Sequence, residues 1–222
     1  MDTVLSTTSE IFLHHKDISE IDGFLRLIEN VLSDEECRRI IDLAEEKKFV
    51  AASLYTDKEG TEYFSETRKS SRCIIDSAGF AEQLWIRLKQ FVPSTWKNGE
   101  VAVGINHRLR ILRYDPGDEF KPHSDGSYTD QKGNTSKITI LIYLNSGYDG
   151  GHTAFLSNDA DTWISIFPRT GLVAMQDQTL LHCVPPLVKG RKYVLRTEVM
   201  YGVKTNENDS KIVKIYKSTY NI

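Results

Sequence analysis

The chain has 222 residues, 40% of them hydrophobic, with 28 basic and 31 acidic side chains and a net charge of −3. It is long for one minimal domain, short for two, and long enough to bury a sizeable core. The near balance of charge gives no electrostatic reason to expect nucleic acid or an anionic membrane as partner; neither an export signal at the N-terminus nor a run of about eighteen apolar residues occurs.

Cys37, Cys73 and Cys183 fit neither a disulfide framework nor a zinc site, so a cytoplasmic, reducing location is expected. Residues 1–20 are polar and patternless, which predicts a mobile N-terminal arm. Residues 21–100 read as a helical N-terminal layer that includes a substrate loop. There Phe24–Leu32 is apolar enough for a buried strand and turn, and Ser33-Asp-Glu-Glu36 is a capping box opening a helix with Cys37, Ile40, Ile41 and Ala44 on one face. Residues 45–67 read as a surface excursion, followed by the basic segment Thr67–Arg72 and the apolar Cys73–Ile75. A second helix is expected through Phe80, Leu84, Leu88 and Phe91 before Pro93 stops it.

Over 101–203 the period changes to two. Leu109 and Ile111 alternate with Arg108 and Arg110, and Ile138, Ile140 and Ile142 alternate with Thr139, Leu141 and Tyr143. Further short strands are predicted at 151–156, 162–167, 170–176, 180–184 and 192–201. Such strands, separated by Gly, Pro, Asn and Asp, read as an antiparallel barrel or a double-sheet jelly roll. With the helices packed outside, the class is mostly β with an α layer (α+β). Residues 204–222 form a polar tail in which Ile212–Tyr216 is a candidate edge strand.

The candidate site lies in Arg113–Gly126. His123 and Asp125, two residues apart at a strand end, face one side, where both can reach a cation whose third ligand is the distant His182. Taken singly these residues have bland readings: H-x-D arises often by chance, and Leu180–Val184 reads as an apolar strand holding a core histidine. Lys192, ten residues beyond His182, changes the balance. A di-acid that chelates a metal at one end needs a cation for its far carboxylate. Two neutral imidazoles and one carboxylate suit iron(II) with open positions better than a four-ligand zinc or an oxygen-only calcium site; a zinc hydrolase is the alternative metal reading. Strand alternation puts Lys192, Val194 and Arg196 on one face and turns Arg191 away.

In chain order Leu112-Arg113-Tyr114, His123-x-Asp125, Leu141–Asn145, Gly150-Gly-x-Thr153-x-Phe155, His182 and Gly190-x-Lys192-Tyr193 give a sequence that resembles the Fe(II)/2-oxoglutarate dioxygenases of the prolyl 4-hydroxylase type. The resemblance covers about residues 105–201 and weakens upstream to about residue 24. It implies a double-stranded β-helix, or jelly roll, over 101–203. His123, Asp125 and His182 would be the catalytic metal ligands, and Lys192 would hold the distal carboxylate of 2-oxoglutarate. Tyr114, Tyr143 and Thr153 would line the cosubstrate pocket; their bland readings are packed aromatics and a β-branched strand residue. Arg68 and Ser70 match an Arg-x-Ser segment that meets peptide substrates, a solvated basic turn being the alternative, and Arg196 joins them on the substrate side.

The implied cofactors are Fe(II), 2-oxoglutarate, O2 and ascorbate as reductant. The implied reaction hydroxylates a C–H bond, with a prolyl residue of a protein or peptide as expected acceptor, and releases succinate and CO2. An oxygenase acting on a free amino acid or other small metabolite is the first alternative, a non-catalytic jelly-roll binding module the second. Phe120 stands where those enzymes carry a tyrosine, and Glu198-Val-Met200 where they carry Trp-x-His. These departures predict an acceptor pocket that is more apolar. The sequence leaves the oligomeric state open.

Overall fold

The structure, a computed structural model, describes residues 1, 4–5, 13–53, 55–56, 61–63 and 66–203. The tail expected over 204–222 with its edge strand, part of the N-terminal arm, and part of the 45–67 excursion lie outside the described residues.

Part of the stretch expected as a mobile arm is ordered. β1 (His15–Asp17) pairs with β2 (Leu25–Ile28), and Val4, Leu5 and Ile18 are buried, because these apolar side chains find a core to fill. The capping box opens α1 (Asp34–Lys47): Ser33 Oγ accepts from Glu36 N at 3.2 Å, and the Glu36 carboxylate accepts from Ser33 N at 2.9 Å. Glu36 also pairs with buried Arg87 at 2.8 Å, so one carboxylate caps α1 and ties it to the second helix.

The region expected as a helical layer also supplies strands: β3 (Val50–Ala51), β4 (Tyr55–Thr56), β5 (Glu62–Tyr63), β6 (Arg68–Lys69) and β7 (Ser71–Asp76). The basic segment is therefore not a turn, since Arg68 and Lys69 pair with a later strand. Ser77 then caps α2 (Ala78–Leu88), which stops short of Phe91 and tightens into a 3-10 turn at Lys89–Phe91. Pro93 forces Val92 into extended backbone, and a full helical turn no longer fits.

The remaining strands are β8 (Val101–Ile105), β9 (Arg108–Tyr114), β10 (Glu119–His123), β11 (Thr135–Tyr143), β12 (Asp149–Gly150), β13 (Thr153–Leu156), β14 (Trp163–Ile166), β15 (Val173–Asp177), β16 (His182–Val184), β17 (Leu187–Lys189) and β18 (Lys192–Gly202). Among the described residues they build a nine-stranded antiparallel sheet in the order β1-β2-β15-β11-β18-β9-β7-β3, with β8 also on β18, and a five-stranded sheet in the order β14-β13-β16-β10-β6. The protein is thus mostly β with two helices.

The large sheet has two unlike faces. Leu109, Ile111, Ile138, Ile140, Ile142, Leu195 and Val199 share one apolar cluster with Cys37, Ile40, Phe80 and Leu84 of the helices. The alternate residues Leu141, Tyr143, Ala174 and Val194 meet Phe155 and Ile166 of the small sheet, so the two sheets face each other across a second core. Beside that second core the sheets part to leave a cleft.

Candidate metal centre and its cleft

Cross-strand pairing brings the two histidines together. β10 runs antiparallel to β16 with His123 directly opposite His182, after a register shift that follows Phe120. Their ring centroids are 4.2 Å apart. The chain then crosses towards the large sheet: Asp125 N donates to Gln178 O at 2.9 Å, and the Asp125 carboxylate accepts from Thr139 Oγ1 of β11 at 2.6 Å and meets Arg196 of β18 at 3.1 Å. One donor atom from each of His123, Asp125 and His182 lies within 4.8 Å of the others.

Second partners set which atoms remain available. His123 Nδ1 donates to Lys121 O at 2.8 Å and His182 Nδ1 to Leu180 O at 3.0 Å, which leaves each Nε2 as a lone-pair donor. Burial and the neighbouring His182 push His123 down to about 4, so it is neutral at ordinary pH. Burial alone would raise Asp125, but Arg196, His182 and the Thr139 hydroxyl hold it down to about 2. Gln176, fully buried, donates from Nε2 to Asp125 at 3.4 Å and lies 3.2 Å from His182 Nδ1, while its Oε1 has no protein partner. Two imidazoles with Nε2 turned to the site, one ionised carboxylate and a polar atom left over fit a divalent ion of the iron(II) kind, held on one face.

The deep end of the cleft is built around Lys192. The side chain is 1% exposed, and Nζ donates to Gly151 O at 2.6 Å with the rings of Tyr114 and Tyr143 at 5.1 and 5.8 Å. Two glycines make this possible. At Gly190 (φ +85°) the chain turns into β18 against Tyr148, and at Gly151 (φ +59°) a Cβ would meet Leu187 Cδ1 at 2.8 Å. Burial pushes the Lys192 ammonium down to about 7, and no carboxylate forms an ion pair with it among the described residues. An entering dianion supplies the missing partner.

Tyr143 OH donates to Thr153 Oγ1 at 2.8 Å; Thr153 lines the cleft beside Tyr114, whereas Tyr143 is packed behind it. Arg68 lines the cleft, donates to Ser70 Oγ at 3.2 Å, and lies over the Phe120 ring at 4.9 Å; that ring stacks on His123 with centroids 3.4 Å apart. Ser70 itself does not reach the cleft wall. Arg196 does, with its guanidinium held between Asp125 and buried Glu198. Arg191 turns outward onto Asp115 at 2.6 Å.

Of the two departures expected to make the acceptor pocket more apolar, Phe120 lines the cleft and Met200 is buried away from it; the cavity of about 860 Å³ is also lined by several arginines. Sequence reading also missed Thr139 and Gln176 beside the metal centre. Their signal was present: each is an uncharged polar residue on the inward-facing row of a strand whose other row is apolar.

The family model described as the 2OG-Fe(II) oxygenase superfamily matches residues 109–197. Curated relatives of the chain include a probable prolyl 4-hydroxylase 8 of Arabidopsis thaliana, 26% identical over 193 residues, which cover 74% of this chain and 64% of that protein. The chain therefore spans slightly less than two thirds of that relative's length. Among solved structures, the viral collagen prolyl hydroxylase of Paramecium Bursaria Chlorella virus-1, in its 2OG complex, is similar with a TM-score of 0.54 at 19% identity, covering 81% of this chain and 97% of that one. A prolyl hydroxylase in complex with a hypoxia inducible factor peptide fragment from Trichoplax adhaerens gives 0.56 at 17% identity, covering 79% and 82%. The likeness to these two structures shows a jelly-roll fold, and the segment matched by the family model contains His123, Asp125, His182 and Lys192.

Proposed function

We propose that the protein is an Fe(II)- and 2-oxoglutarate-dependent dioxygenase that hydroxylates a C–H bond, with a prolyl residue of a peptide as acceptor. One observation carries this reading: a two-histidine, one-carboxylate set and a buried lysine that forms no ion pair share the same cleft. A di-acid that chelates a metal at one end needs a cation for its far carboxylate, and this cleft holds both.

His123, Asp125 and His182 would hold the iron, and Lys192 would pair with the distal carboxylate of 2-oxoglutarate between Tyr114 and Thr153. When bound, iron(II), 2-oxoglutarate and O2 supply the oxidising chemistry, with ascorbate keeping the metal reduced and succinate and CO2 as coproducts. The chain's part is orientation. Lys121 O and Leu180 O fix the two imidazole tautomers, while Thr139 and Arg196 fix the Asp125 carboxylate. Phe120, stacked on His123 and covered by Arg68, keeps water from that side of the centre and gives the acceptor an apolar edge to lie on. The two helices form an outer layer that backs the large sheet and keeps these strands in register. No described helix is long and apolar enough to cross a membrane. The three free cysteines support a reducing compartment such as the cytoplasm.

The test is mass spectrometry of prolyl peptides and of free amino acids incubated with the protein, iron, ascorbate and 2-oxoglutarate. A peptide product heavier by one oxygen atom is expected. Oxidation of free amino acids with none of any peptide contradicts the peptide acceptor.

A further inference from the structure

Six cationic side chains line the cleft, Arg68, Arg72, Arg108, Arg110, Lys192 and Arg196, against one lining carboxylate, Asp125. The proposed reaction uses Lys192 for the cosubstrate and Arg196 to hold Asp125. It gives no role to the charge of the other four. Gathering like charges along one wall is unfavourable unless an anion is bound there part of the time.

Strand register shows how they are laid out. Lys192 stands opposite Tyr114 at the deep end, Arg72 opposite Leu112 in the next row, and Arg196 opposite Arg110 beyond it, with Arg108 opposite Asp76 outermost. The inner row of β9 thus runs from the cosubstrate end towards the mouth with basic groups in each row. Leu112 to Arg108 is four strand steps, about 14 Å at about 3.4 Å per residue.

The carboxylates at hand do not match this wall. Buried Glu198 is shared by Arg110 at 2.9 Å and Arg196 at 2.6 Å, and Asp76 is 4.0 Å from half-exposed Arg108. Among the described residues the partners of Arg68 are neutral: Ser70 Oγ, Ser53 O and the Phe120 ring. Burial pushes the Arg68 and Arg110 guanidinium groups below their ordinary range.

Resting on the oxygenase reading above, we propose that the acceptor is an acidic peptide, extended along the inner face of β9 with its carboxylates against Arg68, Arg108 and Arg110. About 14 Å accommodates about four extended residues, which is more than a free amino acid can span. Arg68 lies over Phe120, which stacks on His123, and would read the charge beside the reacting residue; Arg108 would read one nearer the mouth.

Binding tests this apart from turnover. Two fluorescent peptides carry one central proline flanked by Glu in one and Gln in the other, and their anisotropy is measured with the full chain at low and raised salt. The Glu peptide is expected to bind about tenfold tighter or more, with an advantage that shrinks as salt screens it. The Arg68→Gln/Arg108→Gln double variant, checked for an unchanged unfolding midpoint, should lose most of that advantage. Equal affinity of the two peptides for the unaltered protein overturns the proposal, as does a full Glu preference in the double variant. Complete displacement of the Glu peptide by an equal concentration of free glutamate overturns it too, in favour of a small anion. A protein that prefers the Glu peptide yet turns over no 2-oxoglutarate would overturn the oxygenase reading alone.

Discussion

The two faces of the large sheet are built from the same strands and obey opposite rules. On β9, β11 and β18 the outward residues Ile111, Ile140 and Leu195 are fully buried in an apolar cluster with the helices, while their immediate neighbours Arg110, Thr139 and Arg196 turn inward onto Glu198 and Asp125. Because side chains alternate, one residue step separates a position that holds the fold together from one that positions chemistry. The outer face gains from burying apolar surface, whereas the inner face keeps a desolvated cation and a clustered charge network that favour folding little or oppose it. Substitutions on the two faces should therefore fail in different assays.

The largest expected effect is on the inner face. Asp125→Ala removes the anionic ligand and should reduce 2-oxoglutarate turnover of the folded protein to background; retention of turnover would place the centre elsewhere. On the outer face, Ile140→Ala leaves a cavity and should cost about 2–5 kcal/mol of stability by denaturant titration. Its folded fraction should keep the Michaelis constant for 2-oxoglutarate unchanged, and a shifted constant would blur the division between faces.

Lys192→Met sharpens the contrast because its two effects have opposite sign. Loss of a charge-assisted contact of about 1.5–3 kcal/mol should raise the Michaelis constant for 2-oxoglutarate about tenfold or more. Removal of a buried ammonium should at the same time raise the unfolding midpoint of the ligand-free protein. The pH dependence follows from linkage. Burial lowers Lys192 from its ordinary 10.5 to about 7, so between these values the unfolded chain holds a proton that the folded chain has lost, and stability from this group rises with pH across the window. Midpoints measured from pH 6 to 10 should show that rise in the unaltered protein and not in the Met variant. The smallest effect is expected from Arg191→Ala, one residue away on the outer surface, which should change the 2-oxoglutarate constant less than about twofold.

Legibility in the sequence followed the same division. The capping box, the period-two strands and the inward face of Lys192 could be read because each is set by local geometry. His182 could be read only through its offset to Lys192, since an isolated histidine in an apolar strand reads as core. What escaped was set by tertiary pairing. Arg108 and Arg110 alternate with Leu109 and Ile111, and nothing local tells whether the polar row meets solvent or a cleft; the answer depends on which face the helices cover. Thr139 and Gln176 carry no motif, and their importance appears only once β11 and β15 stand beside Asp125. Met200 misled because it was weighed as a replacement in a pattern, whereas it packs away from the cleft, whose wall also carries arginines from β6, β7, β9 and β18.

The central claim is that the inward face at His123, Asp125 and His182 performs iron- and 2-oxoglutarate-dependent chemistry. Release of labelled CO2 from 1-labelled 2-oxoglutarate, with and without iron(II), tests it most directly in the unaltered protein and in the His182→Ala variant. Iron-dependent release from the unaltered protein and none from the variant is the predicted result; equal release from both, or release that does not require iron, would contradict it.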